Sequence, residues 1–211
     1  TVFAPDMPAH GADQMDAADV TLADYVTRVG VVLSQAPSPV HLVGHSLGGI
    51  TITQAGEDYP GLISKLVYLT AFIPGDNESR FDLDGGGAEG SLTGNYRIFS
   101  SDKKTMVIAD EGIKPTFYAD CDEETVSWAK ERLCPEATVI SQTKVRTSDA
   151  RWGSIPRVYI ECTEDRAIPI SEQRAYWKRH PCVPVITMET SHSPFMSAPE
   201  TLADHLHRLA D

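Results

Sequence analysis

The stretch Val40-His41-Leu42-Val43-Gly44-His45-Ser46-Leu47-Gly48-Gly49 constrains this chain more than any other segment. Its apolar start reads as a short buried strand, and Gly44-x-Ser46-x-Gly48 reads as a sharp turn into a helix. A serine on such a turn is pushed clear of the backbone. The flanking glycines let the turn close without side-chain clashes. The following helix points its N-terminus at the serine, where it favours developing negative charge. The alternative is an ordinary strand–turn–helix corner, and the β-rich run directly ahead of the motif weighs against it.

The rest of the chain supplies a frame for this turn. Leu22, Tyr25, Val26, Val29, Val32 and Leu33 have helical spacing behind a Thr21–Asp24 capping box, and the helix is predicted to end near Ala36, ahead of Pro37. The helix after Ser46 is predicted to run to about Asp58, and Lys65–Phe72 reads as the next strand. Arg157–Cys162 and Val183–Met188 are further predicted strands, with a helix over Ser171–Arg179 between them. A last helix carries Leu202, Leu206 and Leu209 on one face, with Ser197–Glu200 as its expected cap and Pro199 in its first turn. Val2-Phe3-Ala4 reads as the end of a strand entering a loop. Alternating strands and helices predict an α/β fold with a mostly parallel sheet flanked by helices.

Residues 74–152 break this alternation and read as an inserted cap, leaving 1–73 and 153–211 as the core. The block holds a glycine-rich run, Asp84–Gly90, without the Gly-Lys-Ser/Thr ending or strand–helix frame of a phosphate loop; it reads as a surface loop. Strand-like pieces at Tyr96–Ser100 and Thr105–Ile108 follow, then a helix over Glu123–Leu133 with Asp122 as N-cap.

Composition narrows the partners. With 211 residues the chain fits one domain plus a lid, and its net charge of −12 argues against nucleic acid or an anionic membrane as partner. No apolar run has transmembrane length. The start at Thr1 has no basic leader region and indicates a processed, cut or engineered N-terminus. Cys121, Cys134, Cys162 and Cys182 form no C-x-x-C pair, so zinc is not expected. Buried free thiols in a reducing, cytoplasmic compartment are the default, with a Cys121–Cys134 bridge as the alternative.

A serine hydroxyl is a weak nucleophile at neutral pH. It needs a base within hydrogen-bond reach, and the base needs an orienting carboxylate. On a strand–elbow–helix frame the expected chain order is serine, acid, histidine. His192, just after the last predicted strand, is the best-placed base. His45 sits inside the elbow and is expected to point elsewhere; His41, His180, His205 and His207 fall in or at the ends of regular elements, and His10 precedes the elbow. Asp165, in the loop after Arg157–Cys162, is the preferred acid over Glu161 and Glu164. The Leu47 amide is the expected oxyanion donor. His10-Gly11 is a poor second donor, because its loop follows the strand immediately before the elbow's own unit, whereas the expected donor loop belongs one unit earlier.

Gly44-His45-Ser46-Leu47-Gly48-Gly49, Lys65–Pro74, Cys162-Thr163-Glu164-Asp165-Arg166-Ala167-Ile168-Pro169 and Ser191-His192-Ser193-Pro194-Phe195 together resemble the α/β-hydrolases. The nearest branch is that of the plant methyl esterases, the hydroxynitrile lyases and their bacterial esterase relatives. The resemblance covers essentially the whole chain except the cap block. It implies a Ser46–Asp165–His192 triad, ester hydrolysis on a small-molecule substrate without a cofactor, and a cap over an apolar pocket. Leu47, Phe72, Tyr118, Trp128 and Phe195 are the lining residues it suggests. Lyases of the branch carry lysine directly after the catalytic histidine; Ser193 stands there here, which favours the esterase over the lyase. Family members also begin with a strand and an oxyanion loop ahead of the position of Val2. The resemblance therefore implies a missing N-terminal segment, or a second copy, completing the fold. A non-catalytic ligand-binding fragment is the reading from another class.

Overall fold

The computed structural model describes residues 1–83 and 90–209, so all of the glycine-rich run except Gly90 lies outside the described residues. After a 3-10 turn at Ala17–Asp19 come α1 (Leu22–Gln35), β1 (Val40–Ser46), α2 (Gly48–Asp58) and β2 (Ile63–Ala71). The following block holds α3 (Arg80–Leu83), α4 (Thr93–Tyr96), β3 (Arg97–Phe99), β4 (Thr105–Ile108), α5 (Asp110–Phe117), α6 (Glu123–Lys130), β5 (Glu136–Ala137) and α7 (Thr138–Gln142). Then follow β6 (Arg157–Cys162), α8 (Ile170–Arg179), β7 (Val185–Met188), α9 (Pro194–Ser197) and α10 (Pro199–Arg208).

Four strands form a parallel sheet in the order β1-β2-β6-β7. Strand periodicity divides its side chains between two cores. Leu66, Tyr68 and Tyr159 face α1, α2 and α8, meeting Val26, Ile50, Ala55, Trp152 and Tyr176. Val67, Leu69, Val158, Ile160 and Cys162 face the opposite side, where Leu202, Leu206 and Leu209 cover them. Burial on both faces explains the continuous apolar runs of the central strands β2 and β6, whereas β1, expected as a buried strand, is only partly covered, with Val43 41 % exposed. The block between β2 and β6 contributes a separate antiparallel sheet, β3-β4-β5, and a small core of Ile113, Tyr118, Cys121, Val126 and Ala129.

Local chemistry fixes the element ends. Thr21 and Asp24 form the expected reciprocal capping box of α1, and Asp122 caps α6 through the Thr125 amide. Two expectations need correction. Ser197 does not cap α10: it ends α9, Ala198 holds the cap position without a side-chain bond, and Pro199 starts the helix where a missing N–H costs nothing. Val2–Ala4 forms no strand; Val2 is 91 % exposed, and among the described residues no strand pairs with this segment. All four cysteines are free thiols, with Cys134 exposed and the others buried.

Candidate active site

The elbow forms where the sequence places it. Ser46 ends β1 with φ +53, a left-handed conformation that costs about 1–3 kcal/mol in a non-glycine residue and persists only where its surroundings impose it. Two glycines impose it here. A Cβ on Gly44 would lie 2.7 Å from the Gly48 carbonyl oxygen, and one on Gly49 would strike the Phe72 carbonyl and come within 3.0 Å of the Phe72 amide. At Gly48 a Cβ meets nothing within 4 Å, so the motif's second glycine is not the one that closes the turn. Leu47 follows in the right-handed helical region, and its N–H belongs to the first turn of α2, where amides lack intrahelical acceptors.

Opposite the elbow, β2 bulges. His45 pairs with Leu69 and Ser46 with Ala71, which leaves Thr70 unpaired, fully buried and at φ +34. The Tyr159 hydroxyl holds the bulge by bonding both backbone groups of Ala71, donating to its carbonyl and accepting from its amide at 2.9 Å each. The bulge aims the Thr70 hydroxyl at Asp165, where it donates a short hydrogen bond to Oδ2. The same oxygen faces His192 Nδ1 at 2.7 Å, and Asp165 Oδ1 accepts the amides of Ala167 (2.7 Å) and Ile168 (2.9 Å). Burial opposes charge on Asp165, but His192, Thr70 and the Ile168 amide together hold its carboxyl below the usual range. Glu161, the rival acid, is spent elsewhere: it accepts bonds from Arg174, Trp177 and Thr187.

His192 is 2 % exposed and lies between two rings, His45 at 4.5 Å and Phe117 at 5.4 Å between centroids. His45 does not point away from the site, as the sequence suggested. Its Nε2 lies 2.7 Å from the His192 carbonyl oxygen and donates to it. Desolvation and the neighbouring His192 push the His45 pKa down to about 3, so it is a neutral donor. No local pattern signals this contact, nor that of Asp120, which accepts the Ser191 amide at 2.8 Å and also the Ser191 hydroxyl. Thr70 had a weak signal: it is the lone aliphatic hydroxyl in the apolar run Leu66–Phe72.

The remaining candidates divide. Phe72 lies beside the elbow, donating its amide to the Ser46 carbonyl at 3.2 Å, but its ring belongs to the core, between Tyr176 and the Arg80 guanidinium. Tyr118 is buried, with its ring edge-on at 6.4 Å to Phe117, the ring that meets His192. Phe195 packs edge-on to His45 at 5.0 Å and stays 41 % exposed. Trp128 is not brought to the site. It sits on the outer face of α6, half exposed under the Arg132 guanidinium at 4.2 Å, because Val126 and Ala129 form the buried face. His10-Gly11 is a turn: the His10 amide bonds the Met7 carbonyl, and Gly11, at φ +59, packs on the Asp6 carboxylate.

This fold and site define an α/β enzyme built around a nucleophile elbow. The chain belongs to the alpha/beta hydrolase family, whose family model matches residues 1–205. Its relatives place it among the carboxylic ester hydrolases. The pyrethroid hydrolase of Sphingobium wenxiniae is 32 % identical over 218 residues, covering 100 % of this chain and 78 % of the relative. Methylesterase 1 of Arabidopsis thaliana is 33 % identical over 224 residues, covering 100 % of this chain and 85 % of the relative. A crystal structure of a pyrethroid hydrolase superposes with a TM-score of 0.86 at 27 % identity, over 98 % of this chain and 84 % of that one.

Proposed function

We propose that this chain hydrolyses small carboxylic esters through an acyl-enzyme, with Ser46 as nucleophile, His192 as base and Asp165 as its orienting carboxylate. One observation carries the reading: the Asp165–His192 pair is packed against the residue preceding Ser46 in the elbow. Ser46 Oγ attacks the ester carbonyl while His192 Nε2 takes its proton. The Leu47 amide receives the oxyanion, and His192 returns the proton to the departing alcohol. Water then repeats the sequence on the acyl group, releasing the acid and restoring Ser46. Asp165 fixes the imidazole tautomer with Nδ1–H toward Oδ2, leaving Nε2 unprotonated for Ser46. This route consumes only ester and water. Residues 74–152 form the cap in this reading, with Phe117 against the catalytic histidine and Tyr118 behind it, while Phe195 packs on His45 from the core.

The test is hydrolysis of p-nitrophenyl acetate and butyrate by the full chain and by Ser46→Ala. The variant is expected to fold and to lose at least about 10³-fold in kcat. Retained activity in Ser46→Ala overturns the assignment.

A further inference from the structure

His192 lies on a loop, yet a catalytic base must hold its position closely: a displacement of about 1 Å can cost roughly a hundredfold in rate. Contacts from three separate segments fix this loop. Asp165 holds the imidazole, and His45 holds the His192 carbonyl. The third contact comes from the turn after α5, where Asp120 accepts both donors of Ser191, the residue directly before the histidine. That turn is itself closed by the Cys121 amide on the Tyr118 carbonyl at 3.0 Å. Ser191, His192 and Ser193 are each at most 2 % exposed, so these bonds are made out of water, where an unpaired partner is costly.

We propose that Asp120 is a positioning residue for His192: the turn between α5 and α6 clamps the histidine loop at Ser191, the residue directly before the base. Because the turn belongs to the block between β2 and β6, a substrate that packs against this block bears on the same turn that holds the base. The inference rests on the assignment of His192 as base.

The test uses the full chain with Asp120→Asn and Ser191→Ala. Ser191→Ala removes the hydroxyl donor and leaves the backbone amide on Asp120. Asp120→Asn keeps the shape but turns an amide N–H₂ toward one of the two Ser191 donors. Each change is expected to lower kcat on p-nitrophenyl acetate about tenfold, with KM within about twofold. The downfield proton resonance of the His192–Asp165 hydrogen bond is expected to broaden in step with kcat. Folded variants with wild-type kcat and an unchanged resonance overturn the clamp, as does a loss confined to KM. If Asp120→Asn fails to fold, Ser191→Ala decides alone. Ser46→Ala separates the two claims. An inactive Ser46→Ala beside fully active clamp variants removes only the clamp, whereas an active Ser46→Ala removes the triad beneath it.

Discussion

Thr70 is the residue on which the Asp165–His192 pair turns. It is β-branched, fully buried and held at φ +34, a conformation such a side chain avoids, and its hydroxyl shares Asp165 Oδ2 with His192. The strain is offset by what it delivers, a hydroxyl aimed at a buried carboxylate. Thr70→Val keeps the volume and removes the donor. The Asp165 carboxyl then rises toward its ordinary range, and kcat/KM is expected to fall about tenfold, while Thr70→Ser keeps most of the activity. Steady-state kinetics on a p-nitrophenyl ester checks this, and equal activity in the valine and serine variants would refute it.

At the scale of elements, the elbow assigns different work to its two C-terminal glycines. Gly49→Ala drives a methyl group into the Phe72 backbone, so it is expected to lower the melting temperature and abolish activity by reopening the β1–α2 turn. Gly48→Ala meets open space at the head of α2 and is expected to be neutral or stabilising by up to about 1 kcal/mol. Thermal melts of both variants decide the point. The strand–elbow–helix unit, the capping box at Thr21 and the alternating frame were legible in the sequence, because each is set by local pattern or by burial on both sheet faces. The proposed serine, acid and histidine were read from chain order and strand ends, and the structure brings Asp165 and His192 into contact. Thr70 was only weakly legible, and His45 and Asp120 were not. Their roles arise from a strand bulge, a ring stacked across the sheet's end and a turn reaching over from another block, none of which leaves a local periodicity. Trp128 misled for the matching reason: an aromatic residue on a short helix does not reveal which face is buried.

For the whole molecule, acid is the expected weakness. Burial lowers the pKa of His180 from 6.5 to about 4 and that of His45 to about 3, so the unfolded chain binds protons more readily than the folded one below pH 6.5. Stability is therefore full above pH 6.5 and declines as the pH falls toward 4. The depressed carboxyl of Asp165 adds a further loss below its unfolded value of 3.8. His180 packs edge-on to Trp152, away from the elbow, with its Nε2 buried and unbonded among the described residues. His180→Phe keeps a ring there and is expected to recover about 2 kcal/mol of the loss between pH 7 and pH 4 without changing esterase activity. Urea denaturation at the two pH values measures this, and an unchanged difference between them would discount the histidine. No helix among the described residues is long and apolar enough to cross a membrane.

The phenol of Tyr159 stands in for a strand that the bulge has no room to pair with, since one oxygen serves both the amide and the carbonyl of Ala71. In isotope exchange, the Ala71 amide should consequently behave as part of the slowest-exchanging core, opening only when the sheet itself comes apart. Tyr159→Phe would move that amide into the class that exchanges through local fluctuation. The shift would report how tightly the catalytic end of the sheet is closed before any substrate arrives.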